Sequence, residues 1–131
     1  MGSPAAKQGD RVTATDQHLI QPPGAPPPTP VLTPHPFSGV LKQILSSDVK
    51  IEGQAAATVG SVAVNTPAHL PIGGIFVNPP DNRGTIKAGS SSVRINGQAA
   101  ARAGDPAQTC ADPVPNPGGV VVASGTVRIG G

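Results

Sequence analysis

Three histidines and one cysteine are the residues of this chain best suited to chemistry, because imidazole nitrogens and a thiolate sulfur bind transition metals. The chain contains no other histidine or cysteine than His18, His35, His69 and Cys110. A tetrahedral shell of three imidazoles and one thiolate is a typical structural zinc site. Since such a shell leaves no position for water, the metal would stabilise the fold and would not catalyse a reaction.

An internal repeat supports this prediction, because the linear spacing of the four residues matches no compact zinc motif. The chain reads VKIEGQAAATVGS from Val49 and VRINGQAAARAGD from Val93. A third copy is divided between the chain ends, with VRIGG from Val127 and PAAKQGD from Pro4. Because a repeat buries its apolar face against its neighbours, we predict a closed domain with three similar sides and adjacent termini.

The proposed donors follow this repeat. His18 and His69 each lie nine residues after a repeat glycine, and Cys110 lies six residues after the third one. Equivalent positions around one axis would bring these side chains together, and His35, held between two prolines, would supply the fourth donor. Two alternatives remain at this point. The histidines are ordinary surface residues beside a small buried cysteine, or Cys110 is a nucleophile with His69 as its base, which requires an oxyanion-stabilising turn and a pocket.

Alternating apolar and polar segments that end in glycine indicate the elements that position these residues. DVKIEG, SVRING and TVRIGG are typical of short strands followed by tight turns. We predict positive φ at the repeat glycines Gly9, Gly60 and Gly104, and a turn-capping role for Asp10 and Asp105 in preference to an acid pair. The predicted fold is all-β: a small conical domain of short strands and long loops with pseudo-threefold internal repeats.

Two insertions separate the copies. Successive prolines from Gln21 to Phe37 predict an extended loop, because they exclude helix and sheet interior. The Pro, Gly and Asn content from Pro67 to Thr85 predicts a second loop over the surface. GVLKQILSS from Gly39 is the one helix candidate, and its Val and Ile content fits a strand equally well.

Composition excludes several classes of function. An aromatic content of 2% predicts a thin core that a metal would help to stabilise. The net charge of +2 comes from few, scattered charges, so no nucleic-acid or membrane footprint is predicted, and the arginines are expected to be solvated or salt-bridged. Neither a signal peptide nor an apolar membrane span is apparent, and a single cysteine excludes an internal disulfide.

The segments PAAKQGD, QAAATVGS and QAAARAGD resemble the proline-alanine-alanine-arginine (PAAR) repeat family. The resemblance extends from Pro4 to Gly130 and implies a conical β domain that caps a trimeric β-helical spike of the valine-glycine repeat type. It also implies one zinc ion near the apex, bound by the matching residues His18, His35, His69 and Cys110. The chain departs from the family pattern at Lys7, Thr58 and Ser61, so a salt bridge shared by all three copies is not expected.

This resemblance implies a non-enzymatic tip of a type VI secretion system or related contractile injection machine, which helps to pierce the target membrane and attaches effectors. We expect one chain per spike trimer, transient membrane contact and no nucleic-acid partner. We also expect a single domain over residues 1–131 without an appended effector domain, assembled in the bacterial cytoplasm and then ejected to the extracellular space or target cell. The alternative is a β-rich adaptor that binds cargo effectors through its two long insertions.

Overall fold

The computed structural model describes residues 2–131, which form thirteen β-strands. The strands are β1 (Ser3–Pro4), β2 (Arg11–Gln21), β3 (Val31–Gln43), β4 (Lys50–Ile51), β5 (Gln54–Ala55), β6 (Val62–Asn65), β7 (Ile75–Phe76), β8 (Arg83–Ile86), β9 (Arg94–Ile95), β10 (Gln98–Ala99), β11 (Pro106–Thr109), β12 (Asn116–Val122) and β13 (Arg128–Ile129). No helix in residues 2–131 could cross a membrane. The all-β prediction is confirmed, although β2 and β3 are long, with 11 and 13 residues.

Six antiparallel strands close into a barrel in the order β12-β11-β8-β6-β3-β2, and β2 pairs back onto β12. Each copy of the repeat contributes one pair, β2 with β3, β6 with β8, and β11 with β12. Strand β7 adds to the outer end of β2. Because the sheet closes on itself, the barrel strands present few free edges.

A two-stranded hairpin follows each pair of barrel strands. These hairpins are β4 with β5, β9 with β10, and β13 with β1. The third hairpin joins the two chain ends, since Ser3 pairs with Ile129 and Pro4 pairs with Arg128. The predicted adjacent termini and pseudo-threefold arrangement are therefore confirmed, in a small conical domain.

Three alanines form a closed ring where the hairpins meet the barrel. Ala6 donates its N–H to the carbonyl of Ala101 (2.9 Å), Ala101 donates to Ala57 (3.1 Å), and Ala57 donates to Ala6 (3.0 Å). All three side chains are completely buried. Small side chains are needed because three backbones approach one another at this ring.

Buried apolar side chains form two clusters, and the three alanines of the ring belong to the first of them. The barrel cluster contains Val12, Phe37, Leu41, Ile86 and Val121 together with small alanines. The hairpin cluster contains the equivalent residues of the three copies, namely Ile51, Ile95 and Ile129 with Ala5, Ala56 and Ala100. Phe37 is the largest fully buried side chain, so the core is as thin as the composition predicts.

The repeat glycines adopt the predicted positive φ, with values of 93° at Gly9, 95° at Gly60 and 90° at Gly104. Each one opens the turn that leads from the alanine ring into a barrel strand. An L side chain is strained in this conformation, which explains why glycine occupies the same place in all three copies.

Acidic or hydroxyl side chains cap these turns. The carboxylate of Asp10 accepts the N–H of Lys7 (3.1 Å), and that of Asp105 accepts the N–H of Arg102 (2.7 Å). Both pairs are also salt bridges, with N···O distances of 3.1 Å and 2.9 Å. In the second copy the hydroxyl of Ser61 accepts the equivalent N–H at 3.0 Å. The turn-capping prediction is confirmed, and the second copy lacks the salt bridge as expected.

The first insertion was predicted as a loop from Gln21 to Phe37, and this prediction was wrong for Gln21 and for residues 31–37. Gln21 is the last residue of β2, residues 31–37 belong to β3, and the connecting loop is confined to residues 22–30. Pro34 and Pro36 are tolerated because β3 pairs with β6 only from Gly39 onwards, so a missing N–H breaks no second ladder. Residues 39–43 are strand, and the second insertion contains β7 and ends in β8.

Candidate metal centre

Alternation along the β2–β3 hairpin turns three polar side chains into the barrel. Asp16 and His18 lie two residues apart on β2 and therefore share a face, and they are 0% and 1% exposed. His35 lies directly opposite Asp16 on β3 and is 1% exposed. The two long strands thus carry these polar groups beyond the apolar cluster of the barrel.

His69 and Cys110 reach the same place from the other two copies. His69 follows β6, and its N–H donates to the Asn82 side-chain oxygen at 2.8 Å. The carbonyl of Asn82 accepts the N–H of Asn65 at 2.8 Å, which fixes the segment after β6 against the start of β8. Cys110 directly follows the last residue of β11.

The donor atoms of Asp16, His18, His69 and Cys110 all lie within 4.8 Å of one another. Cys110 Sγ is 3.8 Å from His18 Nε2. The three imidazole centroids form a triangle with sides of 4.9 Å (His18 to His69), 5.4 Å (His18 to His35) and 5.6 Å (His35 to His69). The structure therefore brings His18, His69 and Cys110 together with Asp16 in one group of donor atoms. The ring of His35 lies beside the rings of His18 and His69, but its nitrogens are not part of this group. Which of them bind a metal stays a prediction.

Contacts at Nδ1 orient the rings of His18 and His35, so that Nε2 of each ring is directed away from the Nδ1 partner. His18 Nδ1 lies 3.4 Å from a carboxylate oxygen of Asp112. His35 Nδ1 lies 2.8 Å from the carbonyl oxygen of Thr33, which can only accept, so this nitrogen carries the hydrogen. Nε2 of His35 is buried and has no hydrogen-bond partner in residues 2–131. A buried ring nitrogen without a hydrogen-bond partner, beside two other imidazoles, fits a metal ligand.

Burial sets the protonation of the other donors. It lowers the pKa of His69, although the hydrogen bond to Asp16 opposes this shift, so the ring is neutral near pH 7, as a metal ligand must be. Burial, reinforced by the nearby charge of Asp16, raises the pKa of the Cys110 thiol to about 12. A thiolate at this position therefore requires a cation beside it.

The two phenylalanines of the chain enclose the cluster. The ring of Phe76 lies 5.6 Å from His18 and 5.4 Å from His35, centroid to centroid. Phe37 lies 6.0 Å from His69. These apolar walls reduce water access and strengthen electrostatic interactions inside the site.

Sequence reasoning missed Asp16 and Asp112. The signal for Asp16 was present, because Asp-x-His in an alternating strand places both side chains on one face. No sequence feature connects Asp112 with His18, since the contact depends on the path of the segment after β11.

A sequence model of the family described as PAAR motif matches residues 24–114 and 77–131 of the chain. The matched residues include His35, His69 and Cys110. No curated protein matches the chain.

Proposed function

Since the chain belongs to the PAAR motif family, we propose that it is the metal-stabilised tip of a trimeric spike in a contractile injection machine such as a type VI secretion system. The observation that carries this proposal is the closed set of three equivalent hairpins at one end of the barrel. A single chain with pseudo-threefold symmetry can present three similar patches to a threefold partner.

The two ends of the molecule differ in symmetry, and this difference supports the hairpin end as the docking face. At the hairpin end the three copies place Ile51, Ile95 and Ile129 equivalently. At the metal end the connections differ, since they comprise residues 22–30, 66–82 and 110–115. A threefold spike matches the hairpin end, where short strand pairs can continue its own β structure.

The metal is zinc, bound by His18, His35, His69 and Cys110. The orphaned Nε2 of His35 and the neutral form of His69 support this ligand set. The ligands come from all three copies, because the β2–β3 hairpin supplies two and the segments after β6 and β11 supply one each. When bound, zinc joins the three copies at the apex and holds the narrow end rigid under axial force.

The tip acts without catalysis. The Cys110 thiol, with its pKa raised to about 12, is protonated at neutral pH and is a poor nucleophile. Bound to zinc, the same sulfur is engaged as a ligand.

The tip is assembled on the spike in the cytoplasm and leaves the cell with it, contacting the target membrane only transiently.

Three cations at equivalent positions of the hairpins indicate the chemistry of the docking partner. Lys50, Arg94 and Arg128 each precede the buried isoleucine of a hairpin, and all three are exposed. Within residues 2–131 none of them forms a salt bridge. A trimer that offers one carboxylate per chain would satisfy all three at once.

We expect the purified chain to bind a trimeric spike protein of the valine-glycine repeat type at one chain per trimer. The triple variant Lys50→Glu, Arg94→Glu, Arg128→Glu should weaken this binding by about tenfold or more at low salt, because like charges then oppose each other. The loss should shrink at high salt. Affinity by biolayer interferometry at two ionic strengths measures both effects.

A matched control makes the same charge change on the barrel, with Arg11→Glu, Lys42→Glu and Arg83→Glu. This control should bind the spike like the unmodified chain. Equal losses in the two triple variants would show that net charge, and not the hairpin position, governs binding. Absence of any complex with the spike would overturn the proposed function.

Exposed apolar residues favour a second role, the attachment of effectors at the metal end. Leu70 is 76% exposed and Ile72 is 50% exposed. They line a cavity of about 330 Å³ together with Pro36 and Pro67. Replacing Leu70 and Ile72 by Ser should abolish effector capture and leave spike binding unchanged, as measured by co-purification with each partner. Unchanged effector capture would argue against this surface.

A further inference from the structure

We propose that Asp16 supplies the negative charge that neutralises the metal site, so that the functional centre comprises five residues. The inference rests on the proposed zinc site. It concerns a carboxylate that the four-ligand set leaves without a role.

Asp16 is a buried carboxylate with no cationic side chain beside it. It is 0% exposed. In the part of the chain that the structure describes, lysine and arginine form salt bridges only with Asp10 and Asp105. Transfer of a carboxylate out of water is strongly unfavourable unless an opposite charge compensates it. A buried carboxylate without a lysine or arginine partner therefore fits a position beside a bound metal ion.

The two oxygens of Asp16 have different surroundings. Oδ1 accepts hydrogen bonds from the Thr109 hydroxyl (2.5 Å) and from the Asn116 amide (3.2 Å). Oδ2 lies 3.2 Å from His69 Nε2 and 3.6 Å from Cys110 Sγ. The first oxygen is thus held by neutral donors that fix the carboxylate, and the second faces two of the proposed zinc ligands.

Charge balance explains why a carboxylate is needed. A divalent zinc ion with one thiolate and three neutral imidazoles carries a net charge of one, which is unfavourable in a buried, apolar-walled site. The carboxylate of Asp16 brings this charge to zero. Asp112 contributes less, because its side chain is 12% exposed and it accepts the N–H of Leu19 in addition to its contact with His18.

The test is Asp16→Asn, which keeps the shape of the side chain and removes its charge. Zinc affinity, measured by competition with a chromophoric chelator, should fall by about tenfold or more with one zinc still bound per chain. The metal-free variant should melt at the same temperature as the metal-free unmodified chain, because the amide keeps the volume of the side chain and an oxygen that can accept from Thr109 and Asn116. A purely structural role for Asp16 would instead lower the melting temperature of the metal-free protein.

Asp10→Asn is the matched control, since it makes the same chemical change at a carboxylate that accepts the backbone N–H of Lys7 in a turn. It should leave zinc affinity unchanged. Asp16→Glu and Asp16→Gln provide a second pair that differs only in charge, for use if Asp16→Asn does not fold. The glutamate variant should bind zinc more tightly than the glutamine variant.

The outcomes separate this inference from the proposal on which it rests. If the unmodified chain binds no zinc, the proposed metal site is wrong. If the unmodified chain binds zinc and Asp16→Asn binds it within about twofold, only the role of Asp16 is wrong. A clear drop in the melting temperature of metal-free Asp16→Asn would also overturn that role.

Discussion

Removal of zinc is expected to lower the melting temperature of the protein by about 15 °C. A ligand that binds only the folded state at a thousand times its dissociation constant stabilises it by about 4 kcal/mol. In a domain of this size each kcal/mol corresponds to about 4 °C. The effect is large because the core is thin and because zinc would join segments of all three copies. Differential scanning fluorimetry or calorimetry with and without a strong chelator measures the shift.

Cys110→Ser provides the matching variant, because it removes the thiolate and keeps a small side chain. It should melt near the temperature of the chelated protein and respond little to the chelator. Hydrogen exchange should locate the change at the segments after β6 and β11, while the hairpins retain their protection. A chelator-insensitive melting curve of the unmodified protein, with no metal by elemental analysis, would contradict the structural role of zinc.

The sequence predicted the symmetric part of this fold because the three copies of the repeat share the same local residue patterns. Positive φ at Gly9, Gly60 and Gly104, capping by Asp10 and Asp105, and the pairing of the chain ends all follow from residues that recur at matching positions. Each of these features depends on a few neighbouring residues and on the closure of a repeat. Features of this kind can be predicted from sequence because distant parts of the chain hardly influence them.

The sequence predicted less well the parts of the fold in which the three copies differ, namely the insertions and the metal end. Pro34 and Pro36 indicated a loop, yet they lie in β3. This half of β3 pairs only with β2, which is why it tolerates proline, and the pairing order of the barrel strands is not visible in the sequence. The Asp-x-His pattern places Asp16 on the same face as His18, but its contacts with Thr109 and Cys110 could not be predicted, since they join residues more than 90 positions apart. Long-range contacts of this kind follow from strand order and not from local pattern.

The alanine ring is the structural feature on which the threefold closure depends, and Ala57→Leu is expected to destabilise the protein by about 3 kcal/mol. Ala57 is completely buried, donates its N–H to Ala6 and accepts the N–H of Ala101. A leucine adds three carbon atoms at a place where three hydrogen-bonded backbones meet. The ring must therefore widen, or the side chain must leave its preferred rotamer. Urea unfolding of the zinc-loaded protein measures the loss.

Ala88→Leu is the control for this variant, because Ala88 is exposed and lies outside the strands. Its free energy of unfolding should stay within about 0.5 kcal/mol of that of the unmodified protein. If the two leucine variants are equally stable, the ring tolerates bulk and the small residues of the repeat are not required by packing. If only Ala57→Leu is destabilised, steric closure of the ring explains why all three copies keep alanine there, even though their capping residues differ.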